Sequence, residues 1–400
     1  MFLTLPSDGT PAPINASDPE EVKPAPPIIE QTLPLQRMRK WMNEFTAARA
    51  RLGGGWPTIR TVRRDATNVE LDDGDDGTPE SLTLGSKRVT KTMTPQGKRS
   101  YTGILYVMSY CRDLRERGVT STQREVYYHY KGKGPSPWRT QAECNESIAD
   151  VAGIFGVPRF ALGLTTAARG QVAGLVKWRS KEDSTWTDPG DKVQPVDHGW
   201  LTDAGREVVS DGARCVLVVE KDGVFQRLVQ DKFFREGYPS ILVTASGIPD
   251  MATRAFVHRL RATLGLPVFG LVDYNAWGVG VLLTYKVGSA RLGVEARRFA
   301  VDIKWLGLRG SQVERYGVPE ASMQPLTDRD RRRAENLLVH PWVAEHPRWE
   351  AELQDLVDGD AKCEIEALVS CVPDSANEGL SFHAISTFVR EAIVKGDYLA

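Results

Sequence analysis

The chain has 400 residues, enough for two or three domains at roughly 100–200 residues each, and 41% of them are apolar, which suffices for sizeable cores. Lys+Arg (51) and Asp+Glu (52) almost cancel to a net charge of −1, which excludes a uniformly basic nucleic-acid binder and leaves room for a local basic surface. No stretch approaches the roughly 18–20 apolar residues of a membrane span, and the five cysteines (Cys111, Cys144, Cys215, Cys363, Cys371) form no C-x-x-C pair, which suits a reducing compartment and argues against a disulfide framework or structural zinc.

The opening Met1–Pro6 lacks a basic region ahead of its apolar run, so no secretory signal is expected. Residues 1–36 hold eight prolines and few aromatics. That composition predicts a mobile, disordered tail. Residues 37–98 form an arm that is first basic, then acidic. Arg37, Arg39, Lys40, Arg49, Arg51, Arg60, Arg63 and Arg64 stand against Glu44 alone, and Glu70, Asp72, Asp73, Asp75, Asp76 and Glu80 follow. Such runs suit either a solvated linker or a DNA-contacting arm.

From Lys98 to Arg117, Ile104, Met108, Cys111 and Leu114 recur at helical spacing, and Gly118 stops the helix. Thr122-Gln123-Arg124-Glu125 matches a capping box and opens a second helix that carries Tyr127 and Tyr128. A third helix is predicted from about Asn145 to Phe155, followed by short strands at Phe160–Leu164 and Val172–Trp178. Three helices and a ribbon are the order of a winged helix-turn-helix, a reader of duplex DNA. Residues 179–212 read as a linker. Beyond them, strands at Cys215–Val219, Ile241–Thr244 and Val268–Val272 alternate with helices through Val224 and Leu228, from Met251 to Leu264, and from Ala276 to Tyr285. That alternation specifies an α/β domain with a mainly parallel sheet flanked by helices. Val301–Trp305 offers a further strand, and the chain from Asp328 on is mostly helical in pattern.

In such a sheet, ligands sit beyond the carboxyl ends of the strands. Glu220 and Asp273 each directly follow a strand, and Asn275 lies two residues after Asp273. Their oxygens can converge on one Mg2+, or a strand-end acid can simply cap the next helix. Tyr127 and Tyr128 can be packing residues. To act as a nucleophile, a phenol with an ordinary pKa of about 10 needs a cation or base beside it. Arg124, four residues before Tyr128, shares its helix face. Lys131–Ser136 lacks the spacing of a phosphate loop, and no ATP-binding signature is found.

Several segments together resemble the topoisomerase VI A-subunit family. Val218–Leu228 is similar to the first motif of its Toprim domain, Thr244–Arg254 to the second, and Leu271–Gly278 to the D-x-D loop; Thr284–Ser289 and Ile303–Leu308 follow in order. Thr122–Tyr128 resembles the active-site segment and Ala168–Gly174 the stretch near the wing. The resemblance spans about residues 99–345 and implies a winged-helix domain (99–178) with a catalytic tyrosine, then a Toprim domain (213–345) and a C-terminal helical segment (346–400). It places the nucleophile at Tyr128 with Arg124 beside it, and the Mg2+ ligands at Glu220, Asp273 and Asn275. Many relatives have Asp where this chain has Asn275, so one negative charge is missing. Of the family's two branches, the proline-rich tail and long arm favour the eukaryotic one, which makes meiotic double-strand breaks. The reaction implied is transesterification to a 5′-phosphotyrosyl complex that initiates homologous recombination. Also implied are duplex DNA as substrate, a homodimer in which each tyrosine works with the partner's metal site, and accessory subunits including a topoisomerase VI B-like protein. The setting implied is the nucleus and its chromosomes. Three rivals remain: a true topoisomerase VI that religates the cut duplex with an ATPase partner, a catalytically silent DNA-binding module, and a Toprim nuclease or primase that uses water.

Overall fold

The computed structural model describes residues 32–74, 79–132, 136–181, 183–370 and 384–400. The expected tail therefore lies outside the described residues up to 31, as do Asp75, Asp76 and Cys371. Residues 32–36 begin a helix, α1 (Thr32–Arg51). The arm then folds into two antiparallel pairs, β1 (Ile59–Val62) with β4 (Arg88–Lys91), and β2 (Val69–Asp72) with β3 (Ser81–Leu84). It is neither a linker nor a free basic arm. The Arg64 side chain is largely buried and bonds Asp150 at 2.8 Å, Arg37 donates to the Phe155 carbonyl, and Arg39 pairs with Glu116. Acids elsewhere in the fold thus pair with Arg39 and Arg64, and a carbonyl anchors Arg37.

The helical lobe follows. α2 (Lys98–Arg117) buries Tyr101, Ile104, Val107, Met108, Cys111 and Leu114, and Gly118 ends it at φ 67°, a conformation only glycine takes without cost. β5 (Ser121–Thr122) leads into α3 (Gln123–Lys131), where Thr122 Oγ1 accepts from the Glu125 amide and Glu125 reaches back to the Thr122 amide. α4 (Gln141–Phe155) starts four residues earlier than its apolar pattern, because Thr140 supplies the cap. The stretch expected as a strand at Phe160–Leu164 is a 3-10 turn ending in β6 (Leu164–Thr165), which pairs with β5.

The expected ribbon divides. β7 (Gln171–Gly174) leaves the helices and joins the central sheet, antiparallel to a strand of the second lobe (Ser240–Thr244), while β8 (Lys177–Arg179) turns away. Val172, Ala173 and Gly174 are all buried, so this short run needs cover on both faces, which a wing at the surface lacks. The expected linker is structured too. β9 (Gly190–Pro195) forms the sheet edge beside β7, α5 (Gly199–Thr202) packs on the helix Met251–Leu264, and β10 (Glu207–Val209) pairs with β8.

The second lobe is built on β11 (Cys215–Val219), α6 (Asp222–Gln230), β12 (Ser240–Thr244), α7 (Met251–Leu264), β13 (Val268–Leu271), α8 (Ala276–Lys286) and β14 (Ile303–Gly307). The six-stranded sheet has the order β14-β13-β11-β12-β7-β9, with the first four strands parallel. Every residue of β11, β12 and β13 is buried, as expected for strands covered on both faces. α9 (Gly310–Arg315), β15 (Gln324–Pro325), α10 (Asp328–Leu338), α11 (Pro341–Ala344), α12 (Pro347–Asp358), β16 (Ala361–Lys362) and α13 (Ala384–Lys395) complete the chain. No break falls at 345: Cys363 bridges to Tyr274, and Leu399 to Trp305 on β14. Among the described residues no helix is long and apolar enough to cross a membrane.

Candidate active site

Parallel strands deliver their carboxyl ends to one edge, and two acids meet there. Glu220 follows β11, and its Oε2 accepts from the Asp273 amide at 3.1 Å. Asp273, after β13, is buried, and its Oδ1 accepts from the Ile365 amide at 2.9 Å. Burial, reinforced by the Asp273 charge, pushes the Glu220 carboxyl up to about 7, and burial also raises Asp273. Gly278 makes the approach possible, since a Cβ there would lie 2.5 Å from the Asp273 carbonyl and 3.1 Å from Glu220 Oε2. One buried and one half-buried carboxylate at a sheet edge, like-charged and rich in oxygen, fit a hard divalent cation such as Mg2+. Among the described residues no group of three or more His, Cys, Asp or Glu side chains could hold a metal.

Asn275 has another task. It is the N-cap of α8, and its Oδ1 accepts from the amides of Trp277 and Gly278, both at 2.8 Å. Both lone pairs of the amide oxygen are thereby engaged. The cap foreseen for Asp273 is thus made two residues later, and Asn275 is held near the acids without offering them a free oxygen.

Tyr127 and Tyr128 separate cleanly. Tyr127 is buried and donates its hydroxyl to the Arg139 carbonyl at 3.1 Å. Tyr128 is 51% exposed. The Arg124 guanidinium lies 5.7 Å from the Tyr128 ring centroid, and the Lys131 ammonium 5.8 Å. His129 faces Tyr110 instead, with ring centroids 5.0 Å apart. No hydrogen bond, ion pair or ring contact among the described residues joins Tyr128 to Glu220, Asp273 or Asn275 in this chain.

Sequence reasoning missed three contributors. Lys131, three residues after Tyr128, adds a second cation. Lys221 lies beside Glu220 and pairs with Glu364 and Glu366 at 3.0 and 2.9 Å. Ile365 fixes Asp273 from far along the chain. Spacing could have revealed the first two. Nothing in the local sequence announces the third.

A family model for the Toprim domain of the topoisomerase 6 A-subunit/Spo11 proteins matches residues 215–378, and one for type IIB DNA topoisomerase matches residues 99–164. The meiotic recombination protein SPO11-2 of Oryza sativa subsp. japonica is 34% identical over 304 residues, 75% of each chain. The chain belongs to the topoisomerase 6 A-subunit/Spo11 family. The meiotic recombination protein SPO11 of Mus musculus is 31% identical over 70% of each chain. The A3 subunit of DNA topoisomerase 6 from Oryza sativa subsp. indica is 32% identical over 66% of this chain and 58% of its own. The Toprim match runs to 378, so it takes in the Ile365 contact that lies past the boundary expected at 345.

Proposed function

We propose that this protein makes meiotic double-strand breaks by transesterification. The Tyr128 oxygen attacks a backbone phosphorus and the 3′ oxygen leaves. One P–O bond replaces another, the phenol proton ends on the freed 3′ hydroxyl, and the protein stays joined to the 5′ phosphate. The observation that carries this reading is the contrast within the tyrosine pair: Tyr127 is locked in the core, while Tyr128 is exposed beside two cations.

Arg124 and Lys131 stabilise the phenolate and the charge that develops at phosphorus. Glu220 and Asp273 are the residues that would hold Mg2+, which when bound supplies positive charge to the phosphate oxygens. The sheet edge and the Ile365 amide keep both carboxylates aimed at one place. Because Tyr128 has no contact with the acids of its own chain, the reading assigns each Tyr128 to the acidic pair of a second copy. One tyrosine cuts one strand, so two copies cut the duplex. The relatives' names support a nuclear, chromosomal setting, and the family supports a B-type partner subunit.

Incubated with duplex DNA, Mg2+ and its partner subunits, the protein is expected to form covalent adducts that Tyr128→Phe abolishes while duplex binding persists. Adducts that survive in Tyr128→Phe would overturn the reading. The match to a topoisomerase 6 protein favours a second reading, cleavage with religation. ATP-dependent relaxation with a B-type subunit would select it.

A further inference from the structure

We propose that Arg329 and Arg333, packed on Trp277 at the start of the helix that follows Asp273, form a binding site for a DNA backbone phosphate. The proposal rests on the DNA-cleaving reading above. Trp277 is the second residue of α8, four residues after Asp273, and its amide is held by Asn275. Arg329 and Arg333 stand one turn apart on α10. Their guanidinium carbons lie 4.7 and 4.0 Å from the Trp277 ring centroid.

Neither guanidinium has a carboxylate partner within ion-pair distance among the described residues. Arg333 donates Nε to the Ala276 carbonyl at 3.1 Å, which fixes its plane. A Cβ at Gly280 would come within 2.2 Å of Arg333 Nη2, so this glycine makes the space in which the guanidinium lies. The acid next to Arg329, Asp330, sits at the edge of the same indole but pairs with neither guanidinium. It accepts from Trp277 Nε1 at 3.2 Å and from Thr327, and it pairs with Lys362 at 2.7 Å. Burial and the neighbouring Arg329 charge both depress the Arg333 pKa, as expected of like charges held together without an anion.

Two guanidiniums held against one indole, neither with an ion-pair partner of its own among the described residues, leave a place for an anion to complete the group. Contact with the ring leaves the edge donors of the guanidiniums for two-pronged contact with a phosphate. On the helix that begins three residues after Asp273, a phosphate held here would fix the duplex relative to the bond to be cut.

The test is equilibrium binding of the full chain to a short fluorescent duplex in EDTA, across a salt series. Arg329→Gln/Arg333→Gln is expected to weaken binding about tenfold or more and to reduce the slope of log K against log salt by about 1 to 2. Arg329→Lys/Arg333→Lys is expected to restore most of the slope but only part of the affinity, because lysine keeps the charge and loses the fork. Should the double variant fail to fold, Arg329→Gln at its exposed position carries the test, with a slope lower by about 1. Wild-type affinity and slope in a folded Gln variant would overturn the phosphate site and leave the cleavage reading standing. Weakened duplex binding in the Gln variant, with a wild type that forms no adducts, would do the reverse. No duplex binding by the wild type would overturn both.

Discussion

Successive residues on a helix point about 100° apart, so neighbours as alike as Tyr127 and Tyr128 meet opposite surroundings. Tyr127→Phe removes a hydroxyl bonded to the Arg139 carbonyl and is expected to cost about 1 kcal/mol of stability while adducts still form. Glu220 offers a test of the cation. Its carboxyl in the fold stands at about 7, above its ordinary value of 4.5. The stabilising preference for the protonated form is therefore fully present below the unfolded value and is lost as pH rises through about 7. In EDTA the melting midpoint should fall as pH rises from about 4.5 to about 7 and level off above that. Mg2+ should restore it progressively above about pH 7, since binding requires the ionised carboxylate. Glu220→Gln should remove both this fall between about pH 4.5 and 7 and the response to Mg2+. A Mg2+ response that survives in Glu220→Gln would take Glu220 out of the ligand set.

Asn275 shows how an element claims a side chain. Asn275→Ala strips two amides of α8 of their partner and is expected to cost about 1–2 kcal/mol in denaturant unfolding. Asn275→Asp keeps the cap and should hold wild-type stability. If Ala at 275 left stability intact and only Mg2+ affinity fell, the residue would be a ligand after all. The elements of the second lobe were legible because their pattern is plain: the apolar runs of β11 to β13 alternate with helical stretches such as Met251 to Leu264. The capping box of α3 was equally plain. The ribbon was not. Gln171–Gly174 is a strand by its own pattern, but which sheet it joins is decided by the open edge of β12, a strand that comes much later in the chain. The arm was obscured for a related reason. Arg64 looks like free charge until Asp150, distant in sequence, is folded against it. Asn275 was placed near the acids correctly, yet its oxygen's commitment to the helix depends on backbone angles that residue type alone does not fix.

At the scale of the whole molecule, the two lobes are joined by a buried ion pair. Arg159, just after the helical lobe, binds Glu295 through Nε, Nη2 and its backbone amide, and Glu295 is 1% exposed. Arg254 of α7, fully buried, donates to the Glu295 and Ala296 carbonyls beside it. Removing one partner of such a pair strands a charge, so Glu295→Gln is expected to lose about 3–5 kcal/mol, read as a lower denaturation midpoint. Unfolding of the two lobes in one cooperative transition would accompany this coupling, and independent lobe melting would argue against it. In the proposed reading, a rigid link of this kind would hold the tyrosine lobe and the acidic lobe in register for a second copy. The most direct measurement of the central claim is mass spectrometry of peptides linked to DNA after reaction with duplex, Mg2+ and the partner subunits. The account predicts a 5′-phosphotyrosyl link on the peptide that contains Tyr128. A link on another residue, or free 5′ phosphates at the cut ends without any linked peptide, would contradict it.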